Sequence, residues 1–258
     1  MKIAVLMWYD QHVAHYGDIC LEINRLYCQK HGYELIRSSK RTYKDRPPTW
    51  ERFPLLLKHI ENYDYVVWID ADAFFYNSSP PLEEIINHYE KDILLSADAD
   101  TYLTPDSVNA GFFILKNTKQ VISILNKWAY DGELAQRFKD EKTRIQNWVE
   151  DQAMIRGFLR YNVDGIRDLA KVLPYMELQH FQLNEYLTLK KHGILPYVFH
   201  AAGKIPSLRY YISKSYLQEI QGNPLSPFVV DNFQDQPILD LRLHQRDQAQ
   251  AQVLVDQE

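Results

Sequence analysis

Tyr65-Val66-Val67-Trp68-Ile69-Asp70-Ala71-Asp72 runs five apolar residues straight into two carboxylates spaced by one. A run of that length predicts a strand buried on both faces, and the carboxyl end of such a strand is where open α/β sheets place ligand chemistry. Two hard oxygen ligands at that position suggest a divalent cation holding phosphates. Asp-x-Asp also marks solvated turns in many proteins, so its meaning depends on what the rest of the chain brings beside it.

Upstream, Ile3 to Trp8 reads as the first strand. Gly17 to His31 carries a helical stripe at Ile19, Ile23, Leu26 and Tyr27, closed by Gly32, and Tyr33 to Ser38 reads as a second strand. This β-α-β opening implies parallel strands joined by a right-handed crossover. A polar loop over Ser39 to Thr49 leads to a helix from Trp50 to about Asn62, with Pro54 near its first turn, where proline costs least. Downstream come a helix started by Pro80-Pro81-Leu82 and running through Tyr89, a strand over Asp92 to Ser96, a loop from Asp98 to Asn109 and a strand over Ala110 to Leu115. A helix over Lys119 to Tyr130, a charged surface helix over Asp131 to Asn147 and a helix over Asp151 to Arg160 follow. Short strands are expected at Lys171 to Met176 and Tyr197 to His200, then an amphipathic helix over Ser207 to Gln221. Residues 1–222 thus form one α/β domain. Residues 223–258, whose end is polar and rich in Gln, read as a partly exposed extension.

Composition narrows the function. Hydrophobic residues at 46% and charged ones at 24% describe an ordinary globular chain. The net charge of -5 argues against a nucleic-acid groove, which needs clustered Lys and Arg. Eighteen Tyr and five Trp suit carbohydrate faces as well as core edges. No run of about eighteen apolar residues predicts a membrane span, and the chain opens on its first strand rather than on a signal peptide. Cys20 and Cys28 fall eight residues apart on one helix, roughly 12 Å at about 1.5 Å per residue, beyond disulfide reach. Two unbridged thiols fit a reducing compartment, and a cytoplasmic location is the expectation.

No Gly-x-Gly-x-x-Gly or Gly-Lys-Ser/Thr loop follows a strand, so phosphates must be held another way. Asp70 and Asp72 can do so through Mg²⁺ or Mn²⁺. In Val198-Phe199-His200-Ala201-Ala202-Gly203-Lys204, the imidazole of His200 suits Mn²⁺, Gly203 lets backbone approach a phosphate, and Lys204 supplies a point charge. Trp148-Val149-Glu150-Asp151-Gln152 stands at a helix start, where its acids either cap the helix or, with Asp151 and Gln152, face a bound sugar. Asn109-Ala110-Gly111 by itself is a turn residue with a glycine bulge.

Taken in order, Trp50-Glu51-Arg52-Phe53-Pro54-Leu55, Trp68-Ile69-Asp70-Ala71-Asp72-Ala73, Asn109-Ala110-Gly111-Phe112-Phe113, Glu150-Asp151-Gln152 and His200-Ala201-Ala202-Gly203-Lys204 resemble one family. It is the galactosyltransferase/mannosyltransferase/xylosyltransferase family, which includes fungal Golgi α-galactosyltransferases and plant xyloglucan xylosyltransferases. The resemblance spans roughly residues 1 to 205. It implies a GT-A fold, a Rossmann-like, mixed but mostly parallel sheet flanked by helices. It also implies a nucleotide-sugar donor, usually UDP-linked, a saccharide acceptor and retention of anomeric configuration. By that resemblance Asp70 contacts ribose or metal, Asp72 and His200 ligate Mn²⁺, and Gly203 and Lys204 hold the diphosphate. Asn109, Asp151 and Gln152 line the sugar and acceptor side. The family pattern Trp-x-Lys-x-Pro has Lys where this chain has Arg52, a charge kept without the compact ammonium. The competing readings are a noncatalytic nucleotide- or glycan-binding protein of the same fold, and a metal-dependent sugar nucleotidyltransferase. The latter usually carries a Gly-rich basic loop after its first strand, which Met7-Trp8-Tyr9-Asp10-Gln11-His12 is not.

Overall fold

The computed structural model describes residues 1–98, 106–138, 144–145, 148–175, 177–180 and 196–222. Two compact units divide the chain, Met1–Ala202 and Gly203–Glu258. The extension expected over 223–258 lies outside the described residues. In the second unit the described part is helix α8, Pro206–Ile220, with its proline in the first turn and Ile212 and Tyr216 buried.

The first unit is built on a six-stranded sheet in the order β2-β1-β3-β6-β5-β9. The strands are β1 Ile3–Trp8, β2 Glu34–Ser38, β3 Tyr65–Ile69, β5 Ile93–Ala97, β6 Val108–Lys116 and β9 Ala170–Leu173. β1 runs parallel to β2 and β3, and β5 runs parallel to β9. β6 lies antiparallel between β3 and β5, so the sheet is mixed and mostly parallel. β1 and β3 are buried throughout, as near-continuous apolar strands covered on both faces must be. The β-α-β opening forms as its pattern requires: α1, Ala14–His31, joins β1 to β2 and ends at Gly32 in the left-handed region at φ 75°.

Alternation along the strands divides the packing. Leu6, Trp8, Val66, Trp68, Leu95, Phe113 and Leu115 meet α2 (Arg52–His59), α4 (Lys119–Tyr130) and α6 (Asp151–Tyr161) in one core cluster. Trp128 of α4 sits at its centre, edge-on to Phe113 and Phe158 with ring centroids 6.5 and 6.0 Å apart. Each such fully buried large side chain contributes roughly 1.5–3 kcal/mol.

α1 covers the other face, and its buried Asn24 fastens a second, small sheet. That sheet is β10-β11-β4, with β4 Ala73–Phe75, β10 Gln179–His180 and β11 Val198–His200. The Asn24 amide donates to Ala73 O at 3.1 Å and accepts from Phe75 N at 2.9 Å, which makes one buried side chain the partner of two β4 backbone groups. Asn24→Ala orphans both at about 1–3 kcal/mol each; urea unfolding should show that loss, and a change below 1 kcal/mol would refute the role.

Three expectations change. Of the helix expected over Asp131–Asn147, the described residues show the single-turn-scale α5, Gly132–Arg137, capped by Asp131 through Leu134 N, while 139–143 and 146–147 lie outside the described residues. Helix α5 ends where Phe138 buries itself against Phe158 and stacks on Tyr161, and Arg144–Ile145 (β7) then pairs antiparallel with Trp148–Val149 (β8). Asn109 is not a loop residue but lies inside β6 opposite Ser96. The register jumps there from Leu95↔Phe113 to Ser96↔Asn109, so Ala110 to Phe112 bulge from the β5 ladder. The helix expected from Trp50 begins as a 3-10 turn, Pro48–Glu51, before α2. Cys20 and Cys28 are both buried on α1 and form no disulfide, and burial pushes the Cys28 thiol up to about 12. α3, Leu82–Tyr89, and the short α7, Ile166–Leu169, complete the helices of this unit among the described residues.

Candidate metal centre

Asp70 follows the last residue of β3. Its N–H donates to Gly111 O of β6 at 2.8 Å, and Ala73 N donates back to Asp70 O at 3.0 Å. The turn so closed delivers Asp70 and Asp72 to the same side before β4 begins. β11 pairs antiparallel with β4, His200 opposite Ala73, and Ala201 N donates to Asp72 O at 2.9 Å. Backbone pairing alone therefore carries His200 to the carboxylates across 128 residues of sequence. Its Nε2 lies 3.2 Å from Asp72 Oδ1 and 3.7 Å from Asp70 Oδ2. One ligand atom from each of the three residues lies within 4.8 Å of the others.

The ring needs room, and Gly111 supplies it. A Cβ on residue 111 would stand 2.0 Å from His200 Cε1, so the imidazole occupies space that any larger residue would fill. Behind it, Gln179 is fully buried, with Oε1 3.2 Å from His200 Nδ1. The Gln179 amide nitrogen donates to Asn109 Oδ1 at 3.0 Å, and Gly111 N donates to the same oxygen at 2.9 Å.

Arg52, in the first turn of α2, binds the other side of Asp70. Its side chain, 5% exposed, places Nη2 3.2 Å from Asp70 Oδ1 and Nε 2.7 Å from Asp151 Oδ2. It also donates to Thr49 O at 3.0 Å and to Ala110 O, and its guanidinium carbon lies 5.2 Å from the Trp68 ring centre. The Trp68 indole N–H donates to Asp70 Oδ1 at 2.7 Å. With the Trp68 donor and the Arg52 cation both on Oδ1, Asp70 turns Oδ2 toward His200. Asp70 and Asp151 share the Arg52 guanidinium while Asp72 lies beside His200, so three carboxylates gather around one guanidinium and one imidazole, an excess of acid that suits a divalent cation.

Asp151 opens α6 but does not cap it. Glu150 holds the N-cap position and its side chain makes no capping hydrogen bond, while Asp151 turns to Arg52. Burial holds the Asp151 carboxyl above the usual carboxylate range, and the Arg52 charge opposes that rise. Gln152 accepts from Ala110 N at 2.8 Å through Oε1, which leaves its amide N–H groups as donors. Gly203 and Lys204 belong to the second unit, where Gly203 has φ +69° with open space around its missing Cβ.

Sequence reading missed Gln179, Gly111 as a ring cradle, the Trp68 donor and Glu51. Glu51 is buried and accepts from Thr42 N and Tyr43 N at 2.8 and 2.9 Å, which fixes the polar loop before α2. It stood inside the quoted Trp50 motif, so a buried acid beside Arg52 was the available signal. Gln179 lies in a two-residue strand, too short for any periodicity to mark it.

Residues 2–100 match the sequence model of the galactosyl transferase GMA12/MNN10 family. Xyloglucan 6-xylosyltransferase 4 of Arabidopsis thaliana is 27% identical over 146 residues, 53% of this chain and 28% of that protein. Probable glycosyltransferase 3 of Oryza sativa subsp. indica is 26% identical over 126 residues, 46% of this chain and 27% of that protein. The chain thus spans little more than a quarter of the length of these plant relatives. Among solved structures, a glycosyltransferase involved in the glycosylation of the major capsid of PBCV-1 superposes with a TM-score of 0.63 at 14% identity. That match covers 83% of this chain and 99% of the other, a likeness of fold. The fold is therefore GT-A, and over residues 2–100 the chain carries the sequence pattern of the galactosyl transferase GMA12/MNN10 family.

Proposed function

We propose that this chain is a metal-dependent glycosyltransferase that moves a hexosyl or pentosyl group from a nucleotide-sugar to a saccharide acceptor with retention. UDP-sugars are the first choice of donor and GDP-sugars the second. The observation that carries the reading is the convergence of Asp70, Asp72 and His200 at the carboxyl end of β3 on this fold. Two carboxylates and one imidazole suit Mn²⁺, with Mg²⁺ as the harder alternative. When bound, such a cation supplies positive charge beside a departing diphosphate. A noncatalytic binding protein would have no need of this full donor set.

The residues divide the remaining work. Asp70 and Asp72 offer carboxylate oxygens and His200 offers Nε2. Lys204, beside the left-handed Gly203, is assigned to the diphosphate on its chemistry and its place just after His200 in the sequence. Gln152, with its oxygen held by Ala110 N, presents N–H groups to a sugar hydroxyl, and Asn109 lines the same side. Asp151, turned onto Arg52, orients that guanidinium rather than attacking the anomeric carbon. The acceptor hydroxyl then enters from the face the diphosphate leaves. The bond from the anomeric carbon to phosphate oxygen breaks, the bond to the acceptor oxygen forms, and the acceptor proton passes to the departing phosphate oxygen. Among the described residues no helix is long and apolar enough to cross a membrane. A cytoplasmic location is proposed with this function, supported by two cysteines that form no disulfide; fractionation of cells expressing the chain tests it.

Incubation with Mn²⁺ and a panel of UDP- and GDP-sugars, followed by nucleotide release, tests the activity. Asp72→Ala is expected to abolish metal-dependent nucleotide binding while thermal unfolding stays cooperative. Wild-type affinity in that variant would sink the metal assignment, and a chain that binds no donor would sink the transferase reading.

A further inference from the structure

A chain of hydrogen bonds fixes the polarity of the His200 ring from a backbone amide. Gly111 N–H can only donate, so the Asn109 side-chain atom 2.9 Å away is its oxygen. That oxygen can only accept, so the Gln179 atom 3.0 Å from it is the amide nitrogen. The other Gln179 atom is then an oxygen, and it stands 3.2 Å from His200 Nδ1. An amide oxygen facing a ring nitrogen requires that nitrogen to carry the proton. In the neutral ring the remaining nitrogen, Nε2, is bare, and it is the one beside Asp72 and Asp70.

We propose that Gln179 is a positioning residue for the metal centre. Together with Asn109 it holds His200 in the Nδ1–H tautomer, so that Nε2 is presented as a ligand before any cation arrives. This rests on the metal reading above, and it adds the device that selects the ligating nitrogen. Gln179 fits the role because it is fully buried, where no water competes for the ring N–H, and because Asn109 leaves its amide one orientation. Gly111 serves the device twice: its N–H starts the relay and its bare Cα admits the ring. Partners behind a ligating histidine are worth about 10- to 100-fold in metal affinity.

Nitrogen-15 NMR of the histidines in metal-free protein, at a pH where His200 is neutral, reads the tautomer directly. Wild type is expected to show a proton on Nδ1 and a bare Nε2. Asn109→Asp, which keeps both acceptor contacts, should retain that signature, and Gln179→Met should lose it. Calorimetric titration with Mn²⁺ should then show Gln179→Met binding about 10- to 100-fold more weakly. A bare Nδ1 in wild type overturns the inference whether or not Mn²⁺ binds, and needs no variant that folds. Equal Mn²⁺ affinity in wild type and Gln179→Met also overturns it. A protonated Nδ1 in a wild-type chain that binds no Mn²⁺ overturns the metal reading instead, and with it the purpose given to the relay.

Discussion

Arg52→Met is expected to lower folding stability by about 3–5 kcal/mol, the loss found when one partner of a buried ion pair is removed and its counter-charge stays behind. Two counter-charges stay here. Asp70 and Asp151 both lie within 3.2 Å of the guanidinium, and Asp151 is 4% exposed with a carboxyl already raised by burial. Two carbonyls, Thr49 O and Ala110 O, lose a donor as well. The pH dependence follows from the direction of the Asp151 shift. A carboxyl whose folded pKa lies above its unfolded value binds its proton more tightly when folded. Its contribution is therefore most favourable at low pH and is lost as pH rises through the folded pKa. Removing Arg52 takes away the charge that opposes the rise, so the stability gap between variant and wild type should narrow as pH falls toward the ordinary carboxylate range. Arg52→Lys keeps a charge but gathers its donors on one nitrogen, whereas Arg52 uses Nε, Nη1 and Nη2 in different directions. It should recover only part of the loss. Urea unfolding of the three proteins across that pH range measures all of this. A methionine variant within 1 kcal/mol of wild type, or a gap that widens on acidification, would show that Arg52 is not what opposes the burial of the Asp151 carboxyl.

How much of this was readable in advance depends on where each contact is encoded. β1, β3 and α4 form over the residues that periodicity marks, because a strand or helix buried along its length writes its burial into consecutive residues. Within 131–147 the described residues form a short helix and a two-residue strand instead of one long helix, and a pairing so short leaves no period. The site divides in the same way. Asp70, Asp72 and His200 announce themselves by residue type, and the structure brings them together. Asn109, Gln179 and Gly111 act through contacts between residues 21 to 89 positions apart, or through the lack of a side chain, and nothing local marks those. Arg52 stands out in the sequence as a departure from a family pattern, but its two acidic partners come from the turn after β3 and from α6, and only folding joins them.

Gly111→Ala should disable the proposed metal centre with one methyl group. The backbone of residue 111 does not occupy the left-handed region, so alanine meets no conformational penalty there, and its N–H still reaches Asn109. The methyl, however, would lie 2.0 Å from His200 Cε1, 2.4 Å from Nδ1 and 2.8 Å from Nε2. All three are far inside van der Waals contact, and neither party yields easily. Residue 111 is tied to β3 through Asp70 N, and the ring is held by the β4–β11 ladder and by Gln179. The ring must leave, which costs about 1–3 kcal/mol of overpacking. Its departure breaks the Nδ1 contact and carries Nε2 from Asp72, so Mn²⁺ affinity should fall by at least the roughly 10- to 100-fold expected for losing a supporting partner alone. The double variant Gly111→Ala/His200→Ala separates the two effects. Without a ring to strike, the alanine methyl should cost almost nothing relative to His200→Ala, a coupling of about 1–3 kcal/mol between residues in contact. Mn²⁺ affinity should stay lost, because the ligand is gone. If Gly111→Ala destabilises both backgrounds equally, the clash is with something other than the imidazole. If it binds Mn²⁺ as wild type does, His200 is not a ligand from the position it holds beside Asp72.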